Sequence, residues 1–274
     1  MDMATQDHDQ ETILEFRKHC RYQLDFIKDR ICLLQTDHID AHHAENAGIQ
    51  HRSMYLETQA KPPYLFDSVK EEECWFPPDE EDSEYPTYNP ESEDRLNTMG
   101  LQYYLDSYLG GAWPADENKL PNFVHKERSD LRLKGLYELP SVHDHSWRAS
   151  LTYVARSAEE SKPSPPHFKC LVSSEVAGDE RLLRGELITI INSMINRLSF
   201  KSTLPHTVAP VMLYSLMYPQ QLRVLEAYFD GENLVVSSTK LYDMRNEDTE
   251  SLKWFLRWWL GPPVGDTKSI PVSC

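Results

Sequence analysis

Four side chains stand where acid–base chemistry would be possible: Glu226, Lys240 and Asp243 on or beside a predicted hairpin, and Glu175 at the end of a predicted strand. Along RVLEAYFDG, period-2 alternation puts Glu226 on the face of Val224 and Tyr228, so its carboxylate is expected to point inward. A carboxyl group on an apolar face needs a cationic partner, for which Lys240 and Arg223 are the candidates, or else it keeps its proton. The first outcome is a structural ion pair. The second is a general acid or base.

Glu175 invites a second comparison. A restriction-endonuclease-like core holds Mg²⁺ with carboxylates on adjacent strands and uses a lysine to help activate water. Its order of strands, helix and further strands is loosely echoed here. Yet Glu175 is followed by Val176 and Ala177, so the lysine of a Glu-x-Lys motif is missing, and the preceding strand ASLTYVARS has no aspartate. An active nuclease is therefore disfavoured, and a divergent, inactive relative of that fold stays open.

Histidines raise the question of a metal. His38 and His42 are four apart, which on a helix would put both on one face, with His43 and His51 nearby. The His143-Asp144-His145 triplet is a second possibility, but neither group has a third well-spaced ligand, and solvated surface is the preferred reading of both. Cys170 lies in an apolar strand, as a core residue would. There is no nucleophile elbow, phosphate loop or dinucleotide fingerprint. No cofactor and no metal are expected.

The elements that would position these residues are legible mainly in the C-terminal half. Trp147–Arg156 and Phe168–Val176 read as strands. Asp179 opens a helix to about Phe200 with the apolar stripe Leu183, Leu187, Ile190, Ile191, Met194 and Leu198. Thr207–Tyr218 is nearly all apolar and reads as a central strand buried on both faces. Leu222–Phe229 and Leu234–Tyr242 flank the turn signal Asp230-Gly231, and Asp248 or Thr249 caps a last helix to Leu260.

Toward the N-terminus, 10–34 forms an amphipathic helix with Ile13, Phe16, Cys20, Leu24, Ile27, Ile31 and Leu34 on one stripe. The stripe either packs on the chain's own C-terminal half or forms a seam. A protein partner or self-association through 10–34 is the expectation carried forward. A weaker helix is predicted over 41–59, and a short one over 101–109.

Net charge is −16, of which the stretch from Asp67 to Asp94 supplies −11 through twelve acidic residues and one lysine. With six prolines between 62 and 99, this stretch reads as a disordered acidic linker. The expected organisation is an N-terminal helical segment over 1–61, an acidic linker over 62–99 and a folded domain over 100–274. The fold class is α+β, with a mixed or mostly antiparallel sheet and packed helices. Excess acid and no basic run longer than two residues disfavour nucleic acid and anionic membranes. Five widely spaced cysteines without a C-x-x-C pair, no signal peptide and no membrane-length apolar run point to the cytoplasm or nucleus.

One block is similar to known sequences. His206-x3-Pro210-Val211-x-Leu213, Arg223-Val224-Leu225-Glu226-Ala227-Tyr228-Phe229-Asp230-Gly231, Leu234-Val235-Val236, Thr239-Lys240-Leu241-Tyr242-Asp243, Trp258-x-Leu260-Gly261 and Gly265-Asp266-Thr267-Lys268 together resemble a group of uncharacterised filamentous-fungal proteins. The resemblance covers 181–268 and implies an intracellular fungal origin. Some members are encoded near secondary-metabolite clusters. The reading preferred is a non-catalytic interaction or accessory protein, and the alternative is an enzyme of a biosynthetic pathway.

Overall fold

The computed structural model describes residues 3–57, 65–75, 84–111, 113–116, 121–126, 147–157 and 162–269. Among them are five helices: α1 (Met3–Cys32), α2 (Ala41–Ala47), α3 (Asp94–Gly110), α4 (Arg184–Ser199) and α5 (Thr249–Leu260). The strands are β1 (His38–Ile39), β2 (Ile49–Ser53), β3 (Cys74–Trp75), β4 (Trp113–Pro114), β5 (Phe123–His125), β6 (Trp147–Ala155), β7 (Phe168–Ala177), β8 (Leu182–Leu183), β9 (Val211–Tyr218), β10 (Gln221–Phe229), β11 (Leu234–Ser238) and β12 (Tyr242–Asp243).

The fold is α+β, built on an eight-stranded mixed sheet. Seven strands run in the order β2-β11-β10-β9-β7-β6-β5, and β12 pairs with the start of β10. Most pairs are antiparallel. The exceptions are β7 with β9, joined through α4, and β11 with β2. β9 explains why the sheet sits at the centre: Val211, Leu213 and Met217 enter one core, while Met212, Tyr214 and Leu216 enter the other. α1, α2 and α4 cover the first face; α3, α5 and the chain around Leu65-Phe66 cover the second.

The division expected at 61 and 100 does not separate structural units. β2 is an edge strand of the main sheet, pairing in parallel with β11 from Ile49↔Leu234 to Ser53↔Ser238. The helix predicted over 41–59 stops at Ala47, because Gly48 takes the left-handed conformation that closes a helix (φ 87°). Cys20, Leu24, Ile27 and Ile31 of α1 are buried in the core that contains Leu187, Ile191 and Met194 of α4. Of the two fates open to this stripe, packing on the chain's own C-terminal half is the one it takes.

Parts of the acidic segment also belong to the domain. Leu65 and Phe66 are buried, Asp67 N donates to Pro262 O (3.2 Å), and Arg257 Nε donates to Val69 O (2.8 Å). Gly261 permits this approach, since a Cβ there would meet Asp67 O at 1.7 Å. Further on, Tyr85 Oη donates to Met244 O (2.5 Å), and α3 begins at Asp94, inside the expected linker. Residues 76–83 lie outside the described residues. The helix predicted from Asp179 begins at Arg184 instead, because Leu182-Leu183 first pairs with His38-Ile39. Among the described residues no helix is long and apolar enough to cross a membrane.

Candidate functional site

Glu226 points inward, as the alternation predicts, but neither expected cation meets it. Arg223 lies three positions away on β10 and so faces the other side of the sheet, where it holds Glu186 in a buried two-point ion pair (Nε–Oε1 2.8 Å, Nη2–Oε2 2.5 Å). Lys240 lies beyond the end of β11, mostly exposed, 3.4 Å from Glu57. Glu226 instead accepts from Leu65 N (2.8 Å), and its Oε2 has no hydrogen-bond donor. Burial pushes its carboxyl up to about 8, against the pull of the Leu65 and Phe66 amides and of Lys169.

Lys169 is the cation that faces this core. Across the sheet, Lys169 pairs with Met212 and Met212 with Glu226, so the two charged residues share a row two strands apart, roughly 10 Å between backbones. The fully buried ammonium donates to Trp258 O (2.8 Å), Trp259 O (2.9 Å) and Gly261 O (2.8 Å) at the carboxyl end of α5. It also lies 4.0 Å from the Phe123 ring centroid. Burial drives its proton affinity down, while three carbonyls and the negative end of a helix favour the charged form. Lys169 thus caps α5, and both it and Glu226 are buried, at 0% and 3% exposed.

The remaining predicted residues are dispersed. Asp243 faces Gln221, five positions along β10 from Glu226, which sets their backbones roughly 17 Å apart. Its carboxylate is paired with Arg245 (2.5 Å), which holds it below the usual carboxylate range. Glu175 lies near the far end of β7.

Around Glu175, however, an open cleft forms at the carboxyl ends of the parallel strands. Its walls are Arg95, Thr98 and Gln102 of α3, Arg148 of β6, and Ser173 and Glu175 of β7. The pairing of β7 with β9 shifts register between Ser173 and Ala177, in the stretch of β7 that lines the cleft. Glu175 meets Arg95 at 3.6 Å, and Ser173 Oγ donates to Gln102 Oε1 (2.6 Å). The next polar layer is Asp106, which accepts from Ser150 Oγ (2.6 Å) and whose carboxyl is raised by burial. These groups can hold a polar ligand, but they include no nucleophile–base pair.

Comparison with protein-family models, with curated proteins and with solved structures gives no match. Function has to be read from the geometry alone. The succession β6, β7, α4 and β9 does follow the strand–strand–helix–strand order of a restriction-endonuclease-like core. The catalytic set does not follow: Glu175 has Ala177 in place of the lysine, and β6 sets Trp147 and Arg148 opposite the preceding Ser174 and Ser173. Among the described residues no three His, Cys, Asp or Glu side chains gather as metal ligands would.

The histidines are dispersed too. His38 lies in β1 rather than on α2, and its Nε2 meets Ala177 O (2.8 Å), whereas His42 pairs with Asn46 and His51 with Ser238 Oγ. His143-Asp144-His145 lies outside the described residues. Cys170 is fully buried, and that burial raises its thiol. Lys169 escaped the sequence reading, although one lysine within the otherwise apolar run from Phe168 to Val172 was the available signal.

Proposed function

We propose that this protein works by binding rather than by catalysis, and that the outward face of α1 is its contact surface. Supporting this is a second apolar stripe. Leu14, Tyr22 and Phe26, with Leu33 just past the helix end, are 46–78% exposed. At 100° per residue they fall within about 120° of arc, centred opposite the buried stripe of Cys20, Leu24, Ile27 and Ile31. A helix needs one apolar face to dock on its own domain, and a second exposed face marks an interaction surface.

The charges beside this stripe favour a second copy of the chain as occupant. Acidic and basic side chains are mixed along it, with Glu11, Glu15, Lys18, Asp25 and Asp29 on the same arc and Arg30 at its edge, so a second copy can set acid against base. The setting that fits is the cytoplasm or nucleus, and an accessory role in fungal secondary metabolism is part of the proposal.

Deleting the N-terminal segment cannot test this, because β2 and the buried face of α1 would go with it. The test is native mass spectrometry of the full chain against a Tyr22→Glu/Phe26→Glu variant. A stoichiometric second chain that is lost in the variant, with an unchanged unfolding midpoint, supports the proposal. A monomer in both overturns it.

A further inference from the structure

The carboxyl end of α4 carries an unusual concentration of positive charge for so acidic a protein. Arg17 and Arg197 are 2% and 5% exposed, and both give their hydrogen bonds to neutral acceptors. Arg17 serves the carbonyls of Arg197, Leu198, Phe200, Thr203 and His206 and the Thr203 hydroxyl. Arg197 donates from Nε to Pro166 O (3.1 Å) and from Nη2 to Pro165 O (3.3 Å). The charged group that acts on Arg197 is the other cation, Arg17; burial and that repulsion together push its guanidinium down to about 10. His206, pressed by Lys268, Arg17 and Arg197 after burial itself, is lowered to about 4. Buried cations without a counter-ion are costly, and an anion beside them relieves the cost.

Beside Arg197 opens a cavity of about 280 Å³. Lys126, at the end of β5, is a second cation in its wall. Ser164 and Ser202 line it from two segments tied together by Ser164 N donating to Ser202 O (3.1 Å). Phe200 and Val154 supply its apolar side. No carboxylate lines it among the described residues. Arg197 spends two of its donors on the prolyl carbonyls, and Nη1 donates to nothing among the described residues. The negative end of α4 would ordinarily repel an anion here, but Arg17 covers those carbonyls.

We propose that this cavity binds a small metabolite bearing a phosphate or carboxylate group. Arg197 and Lys126 hold the oxyanion, the hydroxyls of Ser164 and Ser202 donate to it, and Phe200 and Val154 take the apolar remainder. The volume lies just below the roughly 300 Å³ at which ligand pockets begin, so the ligand is small. The site is separate from the outer face of α1 and stands or falls independently of it.

The probes are inorganic phosphate and citrate, titrated into the full chain at constant ionic strength and followed by amide NMR shifts. Saturable shifts at Ser164, Phe200 and Ser202 are expected with at least one probe, and the tighter one identifies the preferred oxyanion. Lys126→Gln should weaken that binding at least fivefold, Ser202→Asp should abolish it, and Lys240→Gln, on an exposed lysine elsewhere, should leave it unchanged. Both sensitive variants alter surface-accessible side chains, so folding is retained and is verified by the unfolding midpoint. Shifts that never saturate, or an equal loss in Lys240→Gln, would overturn the site.

Discussion

Arg17 Nη2 lies 2.6 Å from the carbonyl oxygen of Leu198, 181 positions away in the chain, and through this contact α1 closes the carboxyl end of α4. A helix leaves its last carbonyls without intrahelical partners, and burying them unpaired is costly. Here the guanidinium of one helix satisfies several of them at once. Lys169 does the same for α5, so each face of the sheet has one helix capped by a buried cation from a distant element. The domain is thereby tied to its own N-terminus, which is why the chain does not divide at residue 61.

Replacing Arg17 by Met should destabilise the protein by about 3 kcal/mol or more, since several buried carbonyls lose their donor at about 1–3 kcal/mol each. Arg17→Lys should recover only part of this, because an ammonium cannot reach carbonyls on both sides of the turn after α4. Denaturant midpoints of the two variants provide the measurement. Equal stability of Arg17→Met and wild type would mean that α1 is not anchored as the geometry shows.

How much of this was legible beforehand depended on burial. β9 was plain because a nearly unbroken apolar run has few fates other than a strand covered on both sides, and the β10–β11 turn was marked by Asp230-Gly231. The cap of α5 was equally readable: Asp248 accepts from Ser251 N (3.1 Å). β2 was hidden because only Ile49 of its five residues is buried, so the edge strand shows no alternation. Asp67 is one more acidic residue of the expected linker by sequence, yet its backbone N–H, together with the Arg257 guanidinium, docks 65–69 on the end of α5. Glu226 could be placed on its face by counting, whereas that Lys169 shares its row follows only from which strands are adjacent.

Glu226 makes stability depend on pH in a definite direction. Its carboxyl rises from an ordinary 4.5 to about 8 on folding, so the folded state holds a proton that the unfolded state has released. The stabilisation is fully present below about 4.5 and is lost as pH climbs through 8. His167, lowered to about 3, and His206, lowered to about 4, act oppositely, but only below their unfolded value near 6.5. Burial also lowers the proton affinity of Lys169, which acts oppositely, so the part of the slope between pH 6.5 and 8 that belongs to Glu226 is the difference between wild type and Glu226→Gln. Across that window the wild-type profile should run more steeply downward than that of Glu226→Gln. An unchanged slope in the variant would contradict the buried neutral carboxyl.

Cysteine reactivity tests the core between the sheet and α1 and α4 directly. Cys20 and Cys170 are buried, and burial pushes the Cys20 thiol up to about 12, so both should be inert to a thiol-reactive chromophore in the native protein. Cys32 is exposed and should react within minutes. Peptide mapping after labelling distinguishes them, and native labelling of Cys170 would show that the centre of the sheet opens.

Gly261 offers the sharpest test of the docking of residues 65–69. Its φ of −61° is open to any residue, so an alanine there meets no backbone strain of its own. The obstacle is purely the approach of Asp67 O, 1.7 Å from where the new Cβ would sit. Gly261→Ala must push the segment off the end of α5, and with it the Leu65 amide that Glu226 accepts from and the carbonyl that Lys169 uses. A loss of about 1–3 kcal/mol is expected, as for other overpacked sites. Faster proteolysis within 65–75 should accompany it, while Gly110→Ala, whose Cβ would find no atom closer than 3.7 Å, should show neither effect. If Gly261→Ala were as stable and as protease-resistant as Gly110→Ala, the 65–69 segment would not be part of the domain, and the neutral carboxyl of Glu226 would lose the amide that holds it.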